Sequence, residues 1–205
     1  MFRDAQRPRS LTRITCTVIL LQQSPVPVKP VLCRRETDSL KDLLLLRHGK
    51  SDWGASYEAD HDRPLAPRGR SAARLIGSFL ASVGPVPELI LSSSAVRART
   101  TAELVKESGP LPSDIISTSQ LYGAEPASIL DLIRRQEDSI ETLLLAGHNP
   151  AWESLAHHLI GGGELRFPTG ALARIKLPGN SWNQIEFGQG SLCWLITPKV
   201  LKKLL

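Results

Sequence analysis

The 205-residue sequence has few of several features that would decide its class at once. Its three cysteines, Cys16, Cys33 and Cys193, lie far apart with no Cys-x-x-Cys spacing, which argues against a disulfide scaffold or a thiolate zinc site and makes a reducing compartment the default. It has no run of about 18 apolar residues, so it lacks a conventional membrane-spanning helix. There is no internal repeat. With 41% hydrophobic and 22% charged residues it is not a wholly disordered chain, and its length suits one domain with a sizeable core.

A balanced charge is also missing, but only at one end. The chain carries a formal +5 and a sequence pI near 9.4, which first suggests nucleic acid. Residues 1–40 contribute +4 of this and the remainder only +1, so the body is nearly neutral and nucleic acid is not an expected partner. The first 40 residues are rich in Arg, Ser, Thr and Pro, and Pro25, Pro27 and Pro30 oppose a helix or a central strand. They read as a leader. A transit peptide for a plastid or mitochondrion and a plain unstructured extension or over-extended start are equally good readings, so the expected location is cytoplasmic or organellar.

From residue 41 apolar runs alternate with helical spacing. Leu43–Leu46, Leu89–Leu91 and Thr142–Ala146 are continuous apolar runs, as in strands buried on both faces. Ile115-Ile116, Ala171–Leu177 and Leu192–Ile196 are further strand candidates. Helices are expected over Pro67–Phe79, Ala95–Glu107, Ala127–Gln136 and Ala151–Ile160, with Gly84-Pro85, Gly109-Pro110 and Gly161-Gly162-Gly163 as terminators. This alternation predicts an α/β fold, a three-layer α/β/α arrangement around a mostly parallel sheet, over residues 41–205.

Two of these strands end in histidines. Leu43–Leu46 runs into Arg47-His48-Gly49, and Leu143–Ala146 into Gly147-His148-Asn149-Pro150. In open α/β sheets the carboxyl ends of strands line the ligand crevice, so two such histidines, each beside a glycine, outweigh the reading of each as a structural residue. After Leu89–Leu91 comes Ser92 through Glu103, which puts Arg97 in the first turn of a helix at the same edge. A solvated helix arginine is a fair reading of Arg99. Arg47, at the end of a buried strand, lacks a local anionic partner. Two arginines and two histidines suit a phosphoryl group, whose oxygens guanidinium forks bind in pairs.

Arg47-His48-Gly49 resembles the signature of the histidine phosphatase superfamily, the phosphoglycerate mutase-like proteins. The resemblance runs from about residue 41 to 202. In order it covers Arg47 through Trp53, Asp60-His61-Asp62-Arg63-Pro64-Leu65, Arg68-Gly69-Arg70, Ser93 through Thr101, Gly147-His148-Asn149-Pro150 and Thr197-Pro198-Lys199. Compact length, the Asp-His-Asp-Arg-Pro-Leu segment and Gly-His-Asn-Pro are most similar to the short SixA-type phosphohistidine phosphatases.

The resemblance implies a phosphoglycerate mutase-like fold and a phosphatase. His48 is the expected nucleophile, with Arg47, Arg97 and His148 on the transferred phosphoryl group. Arg63, Asp60 and Asn149 are expected at the substrate, Asp60 as the residue that orients Arg63. It implies no cofactor and no metal, since these cations supply the charge that Mg²⁺ supplies elsewhere. Protein phosphohistidine is the favoured substrate, with a sugar or nucleotide phosphate as the alternative. A non-catalytic phosphoprotein-binding module is the alternative of another class, and intact His48, Arg47, Arg97 and His148 argue against it. The expected partner is therefore a phosphorylated protein or small phosphorylated molecule, with no membrane, and the chain is expected to be a monomer. The leaving-group acid is open: Glu125 is a candidate acid or a first-turn residue of the next helix, and Asp52 is a further candidate. His157 and His158 are expected on a helix, one at the core edge and one in solvent, without the spacing of a metal site.

Overall fold

The computed structural model of the chain describes residues 40–204, so the basic leader lies outside the described residues apart from Leu40. Six strands form one sheet: β1 (Leu40–Arg47), β2 (Leu89–Ser93), β3 (Asp114–Thr118), β4 (Thr142–Gly147), β5 (Leu172–Pro178) and β6 (Ser191–Ile196). Five α-helices accompany them among the described residues: α1 (Pro67–Val83), α2 (Val96–Ser108), α3 (Pro126–Arg134), α4 (Ala151–Leu159) and α5 (Pro198–Leu204).

The strand order is β3-β2-β4-β1-β5-β6, parallel from β3 through β1, with antiparallel pairing of β5 to both β1 and β6. The apolar runs are continuous because the sheet is covered on both sides. On one face Leu43, Leu45, Leu143 and Leu145 pack with Ile129, Leu130 and Ile133 of α3 and Trp152, Leu155 and Leu159 of α4. On the other, Leu44, Leu46, Ile90 and Leu144 pack with Ile76 and Leu80 of α1, Leu104 and Val105 of α2, and Leu201 of α5. This is the three-layer α/β/α fold. The expected elements are all present within a few residues of their predicted ends. The exception is α5, a seven-residue helix where only the Thr197-Pro198-Lys199 motif was read.

The connection leaving β1 goes to the β2 side of the sheet, whereas the one leaving β4 crosses to β5. The carboxyl ends of the adjacent strands β1 and β4 therefore flank the switch point, where the diverging loops open a crevice. At the opposite end of the sheet the fully buried Lys41 donates to the carbonyls of Asp138 (2.6 Å) and Ile140 (3.0 Å) and to Glu141 Oε1 (2.8 Å), which offsets the cost of burying its charge.

Candidate active site

Strand register brings the two histidines together. β1 and β4 run in parallel with Arg47 opposite Gly147, so the next residue of each strand, His48 and His148, leaves the sheet at the same point. The His48 amide donates to the Gly147 carbonyl (2.9 Å), and the two ring centroids are 5.0 Å apart. β2 supplies the next contact: Ser92 pairs with Ala146, and Ser93 Oγ lies 2.8 Å from His148 Nε2.

The loop after β1 is held by close backbone approach. A Cβ on Gly49 would lie 2.7 Å from the Gly69 carbonyl oxygen, and one on Gly69 would lie 2.2 Å from that of Lys50. Thr101 Oγ1 accepts the Gly49 N–H (3.0 Å) and donates to the Arg97 carbonyl (2.6 Å), tying α2 to the loop that carries His48.

His48 Nδ1 lies 2.7 Å from the Gly49 carbonyl. A carbonyl only accepts, so Nδ1 carries the proton and Nε2 keeps the free lone pair. Burial, joined by the Arg97, Arg47 and Arg63 charges and opposed by the Gly49 bond, lowers the His48 pKa to about 4. Burial, joined by the His48, Arg97 and Arg47 charges and opposed by Asp60, lowers the His148 pKa to about 3. Both imidazoles are neutral at neutral pH.

Asp60 arranges two of the arginines. Arg63 donates to Oδ1 through Nε (3.1 Å) and Nη2 (2.7 Å), while Arg97 donates to Oδ2 (2.9 Å) and the Asp60 carbonyl (2.6 Å). Burial alone would push the Asp60 carboxyl up, but the Arg97 and Arg63 guanidiniums together hold it below the usual carboxylate range. Tyr122 Oη donates to Oδ2 from 3.3 Å, and its ring meets His148 edge-on at 5.6 Å. Arg63 stacks 3.6 Å over the indole of Trp53, which is 66% exposed at the rim. On the other side the Phe167 carbonyl accepts from Arg47 Nη1 and from Asn149 Nδ2 (3.1 Å), while Glu153 Oε1 holds the Phe167 N–H (2.8 Å).

The result is a cavity of about 260 Å³ lined by Arg47, His48, Lys50, Arg63, Arg97, His148 and Asn149, with Ser51, Trp53 and Thr169. Buried side-chain atoms with no protein partner gather here: Arg47 Nε, Ser51 Oγ, Arg97 Nε, His148 Nδ1 and Asn149 Oδ1. Such concentrated, unpaired polarity suits an oxyanion with several acceptor oxygens.

Other candidates lie apart from the cavity. Glu125 occupies the N-cap position of α3 without a capping hydrogen bond and borders a separate depression with Ser128 and Asp131. Asp52 accepts the Gly54 N–H (3.0 Å) in a turn. His61 stands behind Asp60, bonded to Ser94 Oγ (2.9 Å) and Asp62 (3.2 Å). His157 and His158 are both exposed, which corrects the expectation that one faces the core edge: the inward positions of α4 are taken by Trp152, Leu155, Ala156 and Leu159. Among the described residues no group of three or more metal-ligating side chains occurs. Nothing in the sequence singles out Tyr122 or the Phe167 carbonyl, and Trp53, Ser93 and Thr101 stand out there only as parts of motifs. Their exposure and hydroxyl chemistry alone carry no signal.

A profile of the histidine phosphatase superfamily (branch 1) matches residues 43–121. An uncharacterised Mycobacterium tuberculosis protein is 35% identical over 164 residues, 75% of this chain and all of that one. Among solved structures, a candidate phosphohistidine phosphatase SixA from Agrobacterium tumefaciens is 30% identical, with 77% of this chain and 98% of that chain covered and a TM-score of 0.65. The chain belongs to the histidine phosphatase superfamily. This histidine phosphatase also shares its fold with the protein histidine phosphatase SixA in complex with tungstate, at 24% identity and a TM-score of 0.68, covering 78% of this chain and 99% of that one.

Proposed function

We propose that this histidine phosphatase hydrolyses phosphohistidine on proteins through a phosphoenzyme formed on His48. Its Nε2 lone pair attacks phosphorus, a new P–N bond forms, and the P–N bond of the substrate breaks. The departing imidazole is protonated on its other ring nitrogen in the substrate, so it leaves neutral. Water then attacks the phosphoenzyme, releasing phosphate and restoring His48. Arg47, Arg63, Arg97 and His148 hold the phosphoryl oxygens and stabilise their charge in transit.

The observation that carries the choice of substrate is the lining of the cavity: among the described residues none of its side chains is a carboxyl group. Asp60 is held as a carboxylate by two arginines, and Glu125 opens elsewhere. An alkoxide leaving group needs a proton from such an acid. An imidazole does not, because the first step exchanges one P–N bond for another of the same kind. The resemblance to SixA proteins supports the same reading.

The test is kcat/KM across a phosphohistidine peptide, p-nitrophenyl phosphate and a sugar phosphate, with rapid quenching for an acid-labile phosphoenzyme. The expected order is phosphohistidine first, aryl phosphate second, sugar phosphate last. His48→Ala removes both turnover and phosphoenzyme, and Glu125→Gln changes phosphohistidine hydrolysis by less than about twofold. A preference for the sugar phosphate with a large loss in Glu125→Gln would favour a small-molecule phosphatase.

A further inference from the structure

A second cavity, of about 640 Å³, opens beside the catalytic one and shares Lys50 and Thr169 with it. Arg68 of α1 and Lys199, Lys202 and Lys203 of α5 complete its charged lining. The concentration of charge is local, since residues 41–205 carry only +1 in all. Neither α1 nor α5 contains an acidic residue, and among the described residues none of these five cations pairs with a carboxylate. The phosphoryl chemistry described above makes no use of them, and no packing need explains five unpaired cations along one groove.

The character of the groove indicates its occupant. Lys199, Lys202 and Lys203 are exposed and spaced i, i+3, i+4 along one stripe of α5. Flexible ammonium groups in water form a field rather than a chelating site. The buried, unpartnered polar atoms that would grip a small polyanion lie in the catalytic cavity, and none lies in the groove. A field of this kind fits an extended acidic surface, whose carboxylates it attracts at long range and holds in register. An extended peptide advances about 3.3 Å per residue, so side chains a few positions from a phosphohistidine in the catalytic cavity reach the groove.

We propose that the groove between α1 and α5 docks an acidic protein segment flanking the phosphohistidine, and that it selects substrates by this charge. The proposal rests on the phosphohistidine reading. Three synthetic peptides that differ only in the flanks of the phosphohistidine, with glutamate, serine or lysine, test it on the full chain. The glutamate peptide is expected to exceed the lysine peptide at least about tenfold in kcat/KM at 50 mM NaCl, with the ratio shrinking as salt screens the contact. In the surface variant K199E/K202E/K203E the order reverses, while p-nitrophenyl phosphate hydrolysis stays within about twofold of wild type. Equal hydrolysis of all three peptides by the wild type would overturn the docking surface and leave the phosphohistidine reading standing. Hydrolysis of p-nitrophenyl phosphate but of none of the peptides would overturn both. Tripolyphosphate cleaved faster than the glutamate peptide, with that advantage lost in the triple variant, would assign the groove to a small polyanion and overturn the proposal.

Discussion

A histidine beside three arginines is a nucleophile only while it stays uncharged, and at His48 burial and those arginines act in the same direction. The Gly49 carbonyl then fixes which nitrogen is free. Arginine placement is delegated to one carboxylate, because Asp60 receives Arg63 on one oxygen and Arg97 on the other. Asp60→Asn keeps the size and one acceptor oxygen but loses the charge that orients both guanidiniums. It also raises the positive charge of the site, which favours phosphate binding. The two effects oppose each other in the ground state but not in the transition state, where alignment dominates. We therefore expect kcat to fall about tenfold or more, with Ki for inorganic phosphate within about threefold of wild type, as steady-state kinetics and phosphate inhibition will measure. Arg47, His48, Arg97 and His148 were legible in the sequence because each ends a recognisable strand, directly follows one or sits in the first turn of a helix. The double role of Asp60 was half legible. Its bond to Arg63 spans three residues, whereas its bond to Arg97 spans thirty-seven and depends on how α2 lies against the loop before α1.

At the scale of elements, position at the sheet edge comes from pairing register and from two glycines that let the loop after β1 touch the start of α1. Gly69→Ala would put a methyl group 2.2 Å from the Lys50 carbonyl oxygen, a backbone atom that can yield only by moving the loop. The expected cost is about 1–3 kcal/mol of stability, read by urea denaturation, together with a fall in kcat/KM because Lys50 and Gly49 shift with the loop. The buried strands were readable since continuous apolar runs have few other uses. The direction of β5 was not. Its burial alternates only in part, and nothing in Leu172–Pro178 says that it pairs antiparallel with β1. Helix α5 escaped because seven residues are too few for a period to declare itself, and its start rests on Thr197, whose Oγ1 accepts the Val200 N–H at 3.3 Å.

For the whole molecule, the neutral histidines link the site to the stability of the fold. The unfolded chain takes up a proton on each imidazole near pH 6.5, whereas the native protein resists until about pH 4 at His48 and about pH 3 at His148. Between these values the unfolded state binds more protons, so the stability present in full above about pH 6.5 is lost as the pH falls. Each unfilled site contributes a slope of up to about 1.4 kcal/mol per pH unit over that window. Asp60 acts in the same direction at lower pH, since its depressed carboxyl contributes stability that disappears when it protonates. We expect the free energy of unfolding, measured by denaturant titration at half-unit steps from pH 7 to 4.5, to fall with a slope approaching two protons. His148→Asn removes one titrating group and should reduce that slope by about one proton. An unchanged slope in this variant would mean that His148 titrates alike in the folded and unfolded chains, and that its ring is not held neutral by burial.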